Sequence, residues 1–303
     1  MSNVTVSIGI PFLNARRTLA DTVRSVFAQT HTDWELILID DGSTDGSLDV
    51  VNRIDDPRVR VYSDGVNRGL CDRLNQIASL AHGKYLARMD ADDLMHPERI
   101  ARQVAFLDAN TDVDVVDTAT FTVDGDLTPL GIRGEQPLDT SPEAVLTRGL
   151  LIHPTMMARA DWFRANPYDA DYVRAEDREL WCRTCATTKF ARLCEPLFFY
   201  RESMSGNLRA YLRTAVTVRK ILRHYGPDVI GSWRTSLQVG RVHLTSIAYQ
   251  AATYLGMQNR LIRKRNRPLS ESEIRMARDV MAEIVATDVP GLSGSAVREE
   301  ALV

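Results

Sequence analysis

Residues 84–100 read KYLARMDADDLMHPERI: an apolar run, Lys84 to Met89, stops abruptly at Asp90, Asp92 and Asp93, and a helix with Pro97 in its first turn follows. In an open parallel sheet, ligands bind in the crevice beyond the carboxyl ends of the strands, so a strand ending in acids indicates both a fold and a site. Upstream, VTVSIGI (4–10), WELILID (34–40) and RVRVYS (58–63) read as further strands. Between them lie helices, one with Leu19, Val23, Val26 and Phe27 on a face and one with Leu70, Leu74, Ile77 and Ala78 inward. Strands alternating with crossover helices predict an α/β fold with parallel pairing. Beyond Asn110 the pattern loosens. DVDVVDTATFTV, HPTMMAR and LFFYR read as strands, SPEAVLTRGL as a helix capped by Ser141 with Pro142 first, and EDRELWCRTCA as another helix.

The 303 residues carry an uneven charge: 22 basic against 32 acidic residues over 1–207, 12 against 1 over 208–268, and 3 against 7 over 269–303. A boundary near 207 follows, with a basic helical region at 208–303 whose tail is expected to be loose from about 288. The N-terminus lacks the basic start and cleavage site of a secretory signal, and no stretch of 18 apolar residues occurs, so a cytoplasmic protein is expected. Cys182 and Cys185 stand at a metal-like spacing but on a helix with core periodicity; packing is the expected role, since zinc would need a second ligand pair.

Asp40 and Asp41 end one strand, and Asp90, Asp92 and Asp93 another, so one sheet edge would carry five carboxylates. Such crowding calls for donors or a hard divalent cation, and Asp90-Ala91-Asp92 in extended chain directs two carboxylates the same way. Asp92 is expected to bind metal, Asp93 to cap the following helix. DGSTDG at 41–46 begins like a calcium loop, but the twelfth position is Asn52 where a bidentate Glu is required. A phosphatase nucleophile motif is excluded because IDDGST lacks its intervening residue.

PFLN, WELILIDDGSTD, NRGL, LNQIA, GKYLARMDADD, HPERIARQVAFLD, IHPTMMAR, AEDRELW and FFYRES, in this order across residues 4–203, resemble a family 2 inverting glycosyltransferase. The resemblance implies the GT-A fold, a Rossmann-like mixed sheet flanked by helices, here with a C-terminal helical extension. It implies donor-nucleotide contacts at Pro11, Asn14, Asp41, Asn67, Gly69 and Asp90, although plain turn chemistry would equally explain Asn67 and Gly69. Asp92, with Asp90, would hold Mn²⁺ or Mg²⁺; Asp177 matches the catalytic base, with a helix cap as its structural alternative. Glu176, His153 and Arg201 match the diphosphate and acceptor side, and a His before Pro154 is equally a structural residue. One departure stands out: many members have Arg where this chain has Leu74, and Arg73, one position off, is rotated about 100° on a helix, so no role passes to it.

The implied reaction moves a sugar from a nucleotide diphosphate, UDP by family habit, to a hydroxyl of a saccharide, lipid-linked or small-molecule acceptor, in polysaccharide, glycolipid or glycoside synthesis. A nucleotide-sugar-binding regulator or inactive partner subunit is the alternative. A nucleotidyltransferase is disfavoured by the lack of a Gly-rich phosphate loop after the first strand. The basic helices, densest at RLIRKRNR (260–267), suit either peripheral contact with the anionic inner face of a membrane or pairing with the acidic first part, and an apolar stripe there could serve an oligomer. No aromatic and basic interleaving of a nucleic-acid module appears.

Overall fold

The computed structural model describes residues 4–202, 208–255 and 266–292. Strand β1 (Val6–Phe12) and β2 (Trp34–Asp40) are buried along their whole length, as near-continuous apolar sequences require of strands covered on both faces, with Ser7 donating to Glu35 where polar residues interrupt them. β2 pairs in parallel with β1 and with β3 (Val59–Ser63), and β1 also pairs in parallel with β4 (Tyr85–Arg88). Helices α1 (Leu19–Phe27), α2 (Ser47–Val51) and α3 (Leu70–Leu80) make the crossovers. Gly9 lets α3 approach β1, since a Cβ there would lie 2.3 Å from the Ile77 side chain.

After β4 the sheet becomes mixed. A short β5 (Leu94–Met95) and α4 (Arg99–Ala109) lead to β6 (Val115–Val123), with β7 (Pro129–Arg133) as its antiparallel partner. Helix α5 (Pro142–Arg148) starts as expected at Ser141, whose side chain accepts from the Ala144 N–H. β8 (Met157–Arg159) pairs antiparallel with β4 and β6; α6 (Ala160–Ala165) and α7 (Glu176–Thr184) follow. β9 (Phe190–Arg201) runs parallel to β6 and antiparallel to β5, giving the order β3-β2-β1-β4-β8-β6-β9-β5. HPTMMAR is a strand only from Met157: His153–Thr155 form a 3-10 turn, because Pro154 has no N–H to give a ladder. β9 extends well upstream of LFFYR, through a stretch whose Arg192, Cys194 and Glu195 break the apolar run.

The helices α8 (Leu208–Ile230) and α9 (Ser232–Tyr254) pack on one another, and α8 also packs on α5 and α7. Helix α10 (Glu271–Ala286) returns to the sheet, where Ala277, Met281 and Ile284 join Leu94, Phe121, Val123, Ile132 and Phe199 in one apolar cluster. Of the tail expected to be loose from about residue 288, residues 293–303 lie outside the described residues; Val289 and Leu292 are buried in the main core, and the Pro290 carbonyl accepts from Asp55 N–H. Of the densest basic run, 260–265 lie outside the described residues; Arg267 pairs with Glu135 and Glu273. Cys182 and Cys185 are unbridged and pack against the core around Trp181.

Candidate active site

The carboxyl ends of β1, β2 and β4 open on a cleft of about 740 Å³, walled on the far side by the start of α7. Pro11, Asp41, Asn67, Gly69, Asp90, His153, Glu176 and Asp177 all line it. Asn14, Asp92 and Arg201 line an adjoining hollow of about 470 Å³ that shares Pro11 and Asp90 with the cleft. The fold therefore brings the eleven residues that the resemblance assigns to the donor, metal, base and acceptor side into two contiguous hollows, while Asp40 and Asp93 line neither.

At the β2 end the acids already have partners. Asp40 accepts from Ser43 N–H and Ser63 Oγ, each at 2.9 Å. Asp41 accepts from Arg68 N–H at 2.7 Å, from Gly69 N–H at 3.1 Å and from Arg73 Nε at 2.9 Å. Gly69 reaches this position with φ 88°, a left-handed value that favours glycine. The five acids of this sheet edge thus divide into two groups, and the β2 pair is neutralised by donors: backbone amides, Ser63 and Arg73. Arg73, to which no role was given, is 1% exposed in α3 and bridges Asp41 and Asp64. Its guanidinium also lines the cleft, where it holds Asp41 in place. Asn14, at φ 51°, accepts from Thr44 N–H and so braces the two loops rather than standing free in the hollow.

The β4 end is different. Ligand oxygens of Asp90, Asp92 and Asp93 lie within 4.8 Å of one another, the only such His/Cys/Asp/Glu group among the described residues. Arg88, buried beneath them, clasps Asp90 at 3.1 and 2.5 Å. Asp93 does not cap a helix, since α4 begins only at Arg99; its Oδ1 accepts from Arg201 N–H at 2.7 Å, tying β5 to the end of β9. Its Oδ2 is buried without a hydrogen-bond partner, and burial followed by the charges of Asp92 and Asp90 holds its pKa well above the carboxylate range. Desolvation and then Asp90 raise Asp92 as well. An all-oxygen, acid-rich group with an orphaned buried oxygen fits a hard divalent cation. Arg201 reaches the same edge, its Nε donating to the Asp92 carbonyl at 2.7 Å and its Nη1 to the Gly125 carbonyl.

Opposite stands the first turn of α7. Burial raises the pKa of Asp177, opposed by hydrogen bonding from Arg178 N–H and by the charge of Arg88. Burial and then Asp177 raise Glu176. His153 Nε2 lies 2.8 Å from Tyr168 Oη, and its ring packs against Tyr168 and Trp181. Burial and then Arg88 lower its pKa well below the usual value, so it faces the cleft as a neutral imidazole. Beneath the floor, the fully buried Arg99 donates to the carbonyls of Arg88 and Met156 at 3.0 and 3.1 Å, fixing the end of β4 against the approach to β8.

A family model described as Glycosyl transferase family 2 matches residues 7–166. The "Putative glycosyltransferase EpsE" of Bacillus subtilis (strain 168) is 36% identical over 186 residues, 59% of this chain and 66% of that protein. The "UDP-Glc:alpha-D-GlcNAc-diphosphoundecaprenol beta-1,3-glucosyltransferase WfaP" of Escherichia coli is 30% identical over 132 residues, 44% of this chain and 52% of that one. The chain spans two thirds or less of the length of these curated relatives. Among solved structures, S. aureus TarS 1-349 in complex with UDP superposes with a TM-score of 0.58 at 16% identity, covering 99% of this chain and 83% of that one. The mannosyltransferase PcManGT from Pyrobaculum calidifontis, in complex with GDP-Man and Mn²⁺, gives 0.56 at 15% identity over 93% and 85%. These likenesses establish the GT-A fold, and the family match over more than half of the sequence means that this chain belongs to glycosyl transferase family 2.

Proposed function

We propose that the protein transfers a sugar, with inversion, from a UDP-linked donor to a hydroxyl of a saccharide, lipid-linked or small-molecule acceptor in polysaccharide or glycolipid synthesis. The observation that carries this reading is that Asp177 lines the same cleft as Asp41 and Asp90. The UDP complex of TarS and the donor named for WfaP support UDP. The base would lie by Pro11, Asn67 and Gly69, with Asp41 as an acceptor beside it and Asp90, clasped by Arg88, towards the ribose. Asp92 with Asp90 would hold Mn²⁺ or Mg²⁺, which PcManGT supports for the former. Such an ion, when bound, neutralises charge on the departing diphosphate.

The chain's own residues do the rest. Asp177 accepts the proton of the acceptor hydroxyl as its oxygen bonds the anomeric carbon and the bond from that carbon to the diphosphate oxygen breaks. A single displacement of this kind inverts the centre. Burial suits Asp177 to the task, since a raised pKa makes a carboxylate more basic. Neutral His153 shapes the wall and adds no charge.

The test is nucleoside diphosphate release from UDP-glucose and UDP-GlcNAc with Mn²⁺ and candidate acceptors. Asp177→Asn is expected to lower turnover by about 10²-fold or more while leaving UDP affinity within about twofold. Near-normal turnover would remove Asp177 from the mechanism. We also propose peripheral contact of the basic helices with an anionic membrane, supported by the exposed stripe Trp233, Leu237, Leu244 and Ile247 on α9, a helix without an acidic residue.

A further inference from the structure

A third hollow, of about 670 Å³, opens on the other side of Asp177. It shares Arg174, Asp177 and Tyr200 with the donor cleft and none of Asp41, Asn67, Asp90 or Asp92. Five arginines line it, Arg133, Arg148, Arg174, Arg178 and Arg192, and Asp177 is the one acid among its lining residues. Three of the arginines are paired with carboxylates that do not line the hollow: Arg133 with Glu202, Arg148 with the exposed Asp139 and Arg192 with the buried Asp117. Arg178 donates to the Leu146 carbonyl, and the exposed Arg174 side chain makes no hydrogen bond or ion pair among the described residues.

Arg174 also has φ 68°, a left-handed backbone that a non-glycine residue adopts at a cost, three residues before Asp177. The indole Nε1 of Trp181, a residue lining the same hollow and 1% exposed, is a buried donor without a partner.

Arginine donates and cannot accept. A neutral sugar, whose hydroxyls need acceptors as well as donors, would meet one carboxylate and the hydroxyls of Tyr200 and Thr214 among five guanidinium groups. A phosphate, which only accepts when fully ionised, meets complementary chemistry and the planar fork that binds it bidentately. We infer that this hollow binds the acceptor through a phosphate or diphosphate group, with Arg174 and Arg178 as its readers and the acceptor hydroxyl presented to Asp177. The inference rests on the transferase reading and names the acceptor class for it.

The experiment is calorimetry on the full chain. UDP is titrated first with Mn²⁺ present, and the UDP-saturated protein is then titrated with glucose 1-phosphate, methyl glucoside, or glucose carried on farnesyl diphosphate. Glucose 1-phosphate is expected to bind at least about tenfold tighter than methyl glucoside, and Arg174→Gln to remove most of that preference in protein that is still saturated with UDP. Arg174→Lys is expected to retain part of it. A further gain with the farnesyl carrier would identify a lipid-linked source, and equal affinity a soluble one; both support the inference. Equal affinity for the phosphorylated and neutral sugars, an unchanged preference in Arg174→Gln, or glucose 1-phosphate binding only when UDP is absent would overturn it. Failure of UDP itself to bind would overturn the transferase reading, and this inference with it.

Discussion

Asp177 is held partly out of water at the start of α7, and that placement has a cost that can be measured apart from catalysis. Its folded pKa stands above the ordinary carboxylate value because burial disfavours the charge. Between those two values the folded state binds more protons than the unfolded state, so its contribution to stability falls as pH rises through the window and stays unfavourable above it. Asp177→Asn is therefore expected to melt at a higher temperature than the parent at pH 7–8, with the gain vanishing as pH drops below the ordinary carboxylate range. Thermal melts from pH 4 to 8 check this, and an Asn variant less stable throughout would refute the desolvated carboxylate. The acids around the cleft were legible as acids because strand ends and the ED pair announce them. Arg73, Arg88 and Arg99 were not: a buried arginine is spelled like an exposed one, and only the structure shows that each has carboxylates or carbonyls within reach.

Among the elements, β1, β2 and β4 were readable because strands buried on both faces have nearly continuous apolar sequences, whereas β3 lies at the sheet edge and is only half-buried. The later strands were harder. β9 carries Arg192, whose charge is absorbed by the buried Asp117, and a strand that satisfies its own polar residues loses the apolar signal. The N-terminus of helix α10 carries a full capping box: Ser270 Oγ accepts from Glu273 N–H at 3.3 Å, and Glu273 accepts from Ser270 N–H at 2.7 Å. Because this helix covers Phe121, Ile132 and Phe199, loosening its first turn weakens the sheet edge beneath. Ser270→Ala is expected to cost about 1 kcal/mol in urea unfolding with transfer activity retained. A change within about 0.2 kcal/mol would mean that Glu273, already held by Arg267, fixes the helix start without the serine.

At the scale of the whole molecule, the charge division seen in the sequence is met in part by pairing within the chain. Arg234 pairs with Glu143, Lys220 lies 3.8 Å from Asp171, and Arg267 meets Glu135, so some basic residues are spent on the acidic first part. Exposed Arg209, Arg213, Arg223 and Arg241 have no ion-pair partner among the described residues. They share the α8 and α9 pair with a stripe that positions Trp233, Leu237, Leu244, Ile247 and Tyr254 in solvent, Trp233 at 75% exposure and Tyr254 at 84%. An exposed apolar stripe with aromatic ends and basic flanks, on a helix that itself has no acidic residue, is the chemistry of a helix lying in an anionic interface. Each basic residue near such a surface contributes about 1 kcal/mol, screened within a Debye length. In liposome flotation the protein is expected to rise with vesicles containing phosphatidylglycerol and to remain below with pure phosphatidylcholine, and Arg223→Gln with Arg241→Gln to weaken the association by about tenfold or more. Leu244→Ser with Ile247→Ser, outside the donor cleft, is expected to weaken flotation while leaving soluble-acceptor turnover unchanged. Equal recovery from anionic and neutral vesicles, insensitive to salt, would leave the stripe to a protein partner or a second copy of the chain and end the membrane reading.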